Sequence, residues 1–374
     1  MRLVISVGES SGDYLAAHLV KQLKNTHPNL EIAGIAGPLM VEQGVSAWFD
    51  VNELNVMGLQ EVLSHLPRLM RLRKNFRQRI LDWQPDAFIG VDAPDFNLGL
   101  ARSLRKQGVL SFHYVSPSIW AWRAKRAKKI ARSVDGLLTL FPFEPPLYEP
   151  YGLKTRSVGH PLADDIDQAL QTRDKDLSDQ TTSIALLPGS RSGEIERHMT
   201  LLLDTASKIQ QTKPQAHWVM PVVSVAQQAQ INSRWGQQLN HLNIRLVPGE
   251  TQSVLLDADL AITASGTVTL EAFLLGCPQV VYYRLAPTTH WLATKLNLVK
   301  SQWVSLPNIL TQTECVPEYI QQDATPEAIS EAALGWLNSP ERIQNYRGLA
   351  KQMRETLRAG DHAARTIIEW IQSA

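Results

Sequence analysis

The chain has 374 residues, 44% of them hydrophobic, and a formal net charge of +1. This length allows two domains with separate cores, and the balanced charge excludes the global basic field that nucleic-acid binders carry. Its two cysteines, Cys277 and Cys315, sit in no zinc or disulfide pattern, which fits a reducing cytoplasm.

The N-terminus enters a strand at once, Leu3–Val7, and no signal peptide is expected. Apolar strands then alternate with helical patterns: Ile32–Ile35, Ala87–Val91, Leu110–Tyr114 and Gly136–Leu140 in the first half, and Ile184–Leu187, Trp218–Pro221, Ile244–Val247, Leu260–Thr263 and Gln279–Tyr282 in the second. Such alternation predicts an α/β fold with two parallel, doubly wound sheets facing across one cleft. A polar stretch, Asp164–Thr182, separates the halves, and past Thr325 three helical segments close the chain. The expected domains are 1–165, 166–340 and a helical tail, 341–374, that packs back or exchanges with a second chain. No apolar run is long enough to span a bilayer.

The polar motifs follow strand ends, where open α/β sheets bind ligands. Gly8-Glu9-Ser10-Ser11-Gly12-Asp13 lacks dinucleotide spacing and a Walker lysine. Its glycines let a ligand approach near Glu9, Ser11 and Gly12, or simply form a strand-to-helix turn. In Asp92-Ala93-Pro94-Asp95-Phe96-Asn97, Asp92 lies nearest the strand and suits proton transfer from an incoming hydroxyl, whereas Asp95 and Asn97 serve equally well as scaffold. The run Ser116–Arg123, with Trp120, Trp122 and Arg123 and the basic residues behind it, suits an anionic, partly apolar ligand; the tryptophans fit a core equally well. Leu187-Pro188-Gly189-Ser190-Arg191 repeats the strand, Gly-Ser turn and helix, with the Arg191 guanidinium where a phosphate would lie. Ser265-Gly266-Thr267 opens a helix whose N–H groups and dipole favour a diphosphate, and Glu271, one turn on, suits a ribose diol. An ordinary capped helix with a solvated glutamate is the plain alternative.

Val62–Trp83 reads as a helix with a break risk at Pro67. Val62, Leu63, Leu66, Leu69 and Met70 recur at helical spacing beside Arg68, Arg71, Arg73, Lys74, Arg77 and Arg79. This pattern fits an internal helix with a solvated basic face, or a membrane-surface element.

In combination, Gly8–Asp13, Val56-Met57-Gly58, Asp92–Asn97, His113–Arg123, Pro142-Phe143-Glu144, Gly159-His160-Pro161, Leu186–Arg191, Ser265–Glu271 and Ser305–Asn308 resemble the lipid-A-disaccharide synthase family of glycosyltransferases. The runs keep that family's order to about residue 310; Ser10 stands where many members have alanine. The resemblance implies a GT-B fold, UDP-2,3-diacylglucosamine as donor and 2,3-diacylglucosamine 1-phosphate (lipid X) as acceptor. It further implies inversion at the anomeric carbon, UDP as product, no cofactor and no bound metal. By position, Asp92, Arg191 and Asn308 match residues the family needs for activity. Gly189, Ser190, Ser265, Gly266, Thr267 and Glu271 fall to the UDP side, and Glu9, Ser11, Gly12, Trp122 and Arg123 to the acceptor side. Acylated substrates favour Val62–Met70 as a contact with the inner-membrane surface, and a homodimer fits the family. The rivals are another GT-B enzyme with a UDP-N-acetylglucosamine-type donor, a UDP-N-acetylglucosamine 2-epimerase, and a non-catalytic sugar-nucleotide or lipid-binding protein. Nucleic acid is not an expected partner.

Overall fold

The computed structural model describes residues 1–54, 59–117, 119, 126–171, 182–285 and 302–374, with residues 59–66 by their backbone alone. Contacts divide the chain into two compact units, residues 1–164 with 357–374, and residues 165–356.

The first unit runs β1 (Arg2–Ser6), α1 (Ser10–Thr26), β2 (Glu31–Ala36), α2 (Pro38–Glu42), β3 (Ser46–Asp50), α3 (Leu59–Trp83), β4 (Ala87–Val91), α4 (Pro94–Arg105), β5 (Leu110–Tyr114), α5 (Ala127–Ala131), β6 (Gly136–Thr139) and β7 (Lys154–Ser157). Helix α6 (Pro161–Gln171) leads into the second unit: β8 (Ser183–Leu187), α7 (Ser192–Thr212), β9 (His217–Val222), α8 (Val225–His241), β10 (Ile244–Pro248), α9 (Thr251–Asp257), β11 (Leu260–Ala264), α10 (Thr267–Leu275), β12 (Gln279–Tyr283), α11 (Leu306–Thr311), β13 (Glu318–Ile320), α12 (Pro326–Leu337) and α13 (Pro340–Leu357). Helix α14 (His362–Gln372) ends the chain.

Both sheets are parallel. Their orders are β3-β2-β1-β4-β5-β6-β7 and β10-β9-β8-β11-β12-β13. Each is the doubly wound order in which successive strands run outward from the first and then jump back across it. The jump leaves a crevice between β1 and β4 in one sheet and between β8 and β11 in the other. The ten expected strands are all present. They are interior strands or, as with β10, strands with a clear apolar run, and β4 and β11 are buried at every position. The three strands beyond that expectation, β3, β7 and β13, all lie at sheet edges. Their sequences, SAWFD, KTRS and EYI, are short and partly exposed, as edge strands that resist further pairing tend to be.

The tail helices have separate attachments. Helix α13 belongs mostly to the second unit, while α14 lies with the first. There Trp370 packs over Gly136, where an added Cβ would come 2.4 Å from the indole, and Arg156 pairs with Glu369 at 2.6 Å. Helix α3 is continuous through Pro67, so the expected break does not occur. Leu72, Phe76 and Ile80 recur every four residues on its buried face. Among the described residues no helix is long and apolar enough to cross a membrane.

Candidate active site

Asp92 closes β4 at the first crevice. Asp92 and Ala93 take left-handed backbone angles, φ 51° and 38°, and Val115 at the end of neighbouring β5 has φ 80°. Left-handed geometry is strained for a β-branched residue, and such strain concentrates at functional sites. The glycines after β1 make room for the turn. A Cβ at Gly12 would lie 2.0 Å from Asp92 Oδ2, and one at Gly8 would lie 2.3 Å from the Cβ of Ala93. Gly8 N–H donates to Asp92 Oδ1 at 2.8 Å, while Oδ2 is buried with no protein partner among the described residues. Burial lifts the Asp92 pKa to about 7, the Gly8 N–H opposes the rise, and the charge of Glu9 adds to it. The first glycine loop is thus a seat for Asp92.

Several neighbours are scaffold. Asp13 is buried and accepts N–H groups from Gly37, Leu39 and Met40, which caps α2. Asn97 is fully buried, and its Nδ2 donates to the carbonyls of Ser6, Val91 and Asp92. His113 pairs in register with Gly90; burial lowers its pKa to about 3 and keeps the ring neutral. His160 stacks on Phe141, and its Nδ1 accepts from the Leu162 N–H, which makes it a packing residue. Glu9 and Ser11 are exposed at the start of α1.

The second crevice is more open. At Gly266 a Cβ would meet nothing within 4 Å among the described residues. Gly266 is the N-cap of α10 and supplies no capping side chain. Thr267 begins the helix, while Ser265 Oγ donates to the Val304 carbonyl at 3.0 Å. The first N–H groups of α10 are therefore not claimed by a side-chain cap. Glu271 is the single charged residue of this helix and has no hydrogen-bond or ion-pair partner among the described residues. Burial lifts its pKa to about 7.

Across the crevice, Gly189 has φ 105°, and a Cβ there would lie 2.7 Å from Glu194 Oε2. Glu194 accepts the Arg191 N–H and the Tyr283 hydroxyl. Its carboxylate lies 3.5 Å from the Arg191 guanidinium, which is 59% exposed and so within reach of a ligand. Gln227 holds the Ser190 carbonyl. His198 is buried below this loop. Its Nδ1 contacts the Pro188 carbonyl and must carry the proton, so Nε2 accepts from the Arg284 N–H. Burial lowers its pKa and keeps this neutral tautomer.

Asn308 lies behind this surface. It is fully buried; Nδ2 donates to the Val316 carbonyl and Glu318 Oε1, and Oδ1 accepts the Val316 N–H. With both amide hydrogens used, it ties the Val316 backbone to the Glu318 carboxylate. Glu318, which the sequence reading missed, also accepts Val304 N–H, Ser305 N–H and Ser305 Oγ. It fixes the segment to which Ser265 is tied. A lone glutamate beside Pro317 carries no motif, so only the fold reveals it.

Of the expected membrane-contact residues, Leu69 is half-buried and Met70 is 58% exposed. The side chains of Val62, Leu63 and Leu66 lie outside the described residues, as do Val56–Gly58, Trp120, Trp122 and Arg123. The basic run of α3 is divided: Arg77 donates to Ser103 and Arg79 stacks over Trp48, while Arg68, Arg71 and Lys74 are exposed.

The family model of lipid-A-disaccharide synthetase matches residues 3–371. The chain belongs to this family. It is 43% identical to the lipid-A-disaccharide synthase of Xanthomonas axonopodis pv. citri (strain 306), over 97% of this chain and 85% of that protein. It is 42% identical to the synthase of Xylella fastidiosa (strain M12), over 99% and 98% of the two chains. Family membership makes it a glycosyltransferase of lipid A biosynthesis. Among solved structures it resembles the UDP-GlcNAc 2-epimerase of Neisseria meningitidis bound to UDP-GlcNAc, with TM-score 0.65, 13% identity and full coverage of both chains. That likeness concerns the fold, which is GT-B. The family match, and not the fold, sets the chain apart from epimerases.

Proposed function

We propose that this glycosyltransferase joins UDP-2,3-diacylglucosamine to 2,3-diacylglucosamine 1-phosphate, forming the β-1,6-linked tetraacyl disaccharide 1-phosphate and UDP. The acceptor 6-hydroxyl attacks the anomeric carbon, the bond from that carbon to UDP breaks, and the configuration inverts. Asp92 takes the hydroxyl proton. The observation that carries this reading is the seat of Asp92: a carboxylate in a strained turn, made room for by two glycines, with its pKa near 7. An ordinary carboxylate is a poor base for an alcohol, but one poised near neutrality is suited to general-base work, typically ~10²–10⁴ in rate.

In the second unit, the α10 N-terminus and Arg191 receive the diphosphate and stabilise the charge that develops on it. Glu271 accepts the ribose hydroxyls. Glu318 and Asn308 hold the segment beside that helix start. On α3, exposed Met70 with Arg68, Arg71 and Lys74 favours attachment to an anionic membrane surface.

The test is transfer between the two named substrates in detergent with EDTA, following disaccharide and UDP. Disaccharide is the expected product. Release of free sugar from UDP-N-acetylglucosamine, with no disaccharide, would overturn the reading. Serine substitutions at Leu69 and Met70 should reduce partitioning onto anionic vesicles; unchanged partitioning would overturn the membrane assignment.

A further inference from the structure

A cavity of about 180 Å³ opens on the first unit between α3, α4 and α5. Among the described residues its charged lining is Arg73 from α3, Arg102 and Asp95 from α4, Arg126 just before α5 and Lys129 on α5, so that four cations face one carboxylate. Asp95 holds Arg126 at 2.9 Å, while Arg73, Arg102 and Lys129 have no ion pair among the described residues. Like charges gathered from three separate helices repel one another unless an anion joins them. The Arg73 guanidinium rests against α4: a Cβ at Gly99 would lie 2.8 Å from its Nη1, the far end of a flexible side chain.

We infer that this cavity is a binding site for the phosphate group of an acylated ligand. Guanidinium forks suit phosphate oxygens. The volume is below the roughly 300–1,000 Å³ of whole small-molecule sites, so the cavity takes one charged end and leaves sugar and acyl chains outside. Pro94 and Asp95, in the turn that carries Asp92, line its wall, which ties the phosphate to the proton-accepting end of β4. The acceptor phosphate is the source this placement favours, and that assignment rests on the function proposed above. A phospholipid headgroup offers the same chemistry.

Arg102→Ala with Lys129→Ala removes two exposed cations with no ion pair among the described residues, and Arg73→Ala removes a third from the facing helix. With the phosphorylated acceptor, each variant should raise acceptor KM at least tenfold while donor KM is unchanged. With an acceptor lacking the phosphate, the penalty should shrink below about threefold. Melting temperatures close to wild type should show that both variants fold. An equal penalty on both acceptors, or none on either, overturns the acceptor site. So does loss of binding to phosphatidylglycerol vesicles with acceptor kinetics intact, which would assign the cavity to a headgroup. Broadening of the ³¹P line of glucosamine 1-phosphate by wild-type protein, abolished in the double variant, tests the anion site even if no transfer is seen. Absence of broadening by wild-type protein, with transfer intact, overturns the site alone.

Discussion

The two crevices use the same strand-turn-helix device to opposite ends. At the first, glycine makes room for the protein itself: Gly8 and Gly12 are small because Asp92 and Ala93 lie against them. At the second, among the described residues, nothing lies within 4 Å of a Cβ placed at Gly266, and the helix start behind it has no side-chain cap. Desolvation raises a carboxylate to about 7 in both, yet Asp92 is held by an N–H group while Glu271 has no partner among the described residues. One crevice holds its carboxylate in a fitted seat, whereas at the other the helix start and its carboxylate are without side-chain partners among the described residues.

The largest expected effect separates the glycines. Gly12→Ala must displace Asp92, so turnover should fall about 10²–10⁴-fold, measured as kcat at saturating donor. Gly266→Ala should fold with unchanged melting temperature and mainly raise donor KM. Equal behaviour of the two variants would break the contrast.

Glu271→Gln comes next. A hydrogen bond to a charged group is worth about 1.5–3 kcal/mol, so donor affinity should fall roughly tenfold or more. Wild-type donor affinity should weaken as pH drops below about 7 and Glu271 takes a proton, and the variant should lose that dependence. Calorimetry with UDP-N-acetylglucosamine reads both, because its diphosphate does not ionise in this range.

Glu318→Gln should give a smaller loss. Glutamine keeps one accepting oxygen but cannot serve Val304 N–H, Ser305 and Asn308 together. Donor KM should rise severalfold with little change in kcat; a change in kcat alone would place Glu318 nearer the chemistry.

A separate effect, on stability, has the opposite sign. The Asp92 pKa is raised in the folded protein, so its penalty is absent below the unfolded value near 4 and grows as pH rises towards about 7. Asp92→Asn should therefore stabilise the protein at pH 8 by about 1–3 kcal/mol, after discounting solvent access to the carboxylate. The gain should vanish below pH 4. Denaturant unfolding at the two pH values checks it.

Much of this fold was legible because interior parallel strands are continuous apolar runs, as in AFIGV and LAITA. The edge strands β3, β7 and β13 were not, since a sequence such as KTRS has no apolar signature and depends on a neighbour for its shape. Asp92, Arg191 and Glu271 could be found from their places after strands. Their environments could not: that Gly8 and Gly12 serve Asp92 depends on contacts across some 80 residues of chain. Asn308 was visible by resemblance, but its buried amide and its link to Glu318 emerge only when residues 304–318 fold together.

The most direct test of the central claim is the pH profile of transfer at saturating donor for wild type and Asp92→Asn, with UDP binding measured alongside. The wild-type kcat should rise to a plateau with an apparent pKa near 7, and the variant should be slow, flat with pH and unimpaired in UDP binding. Near-normal turnover in the variant, or a titrating limb near 7 that survives the substitution, would contradict Asp92 as the base.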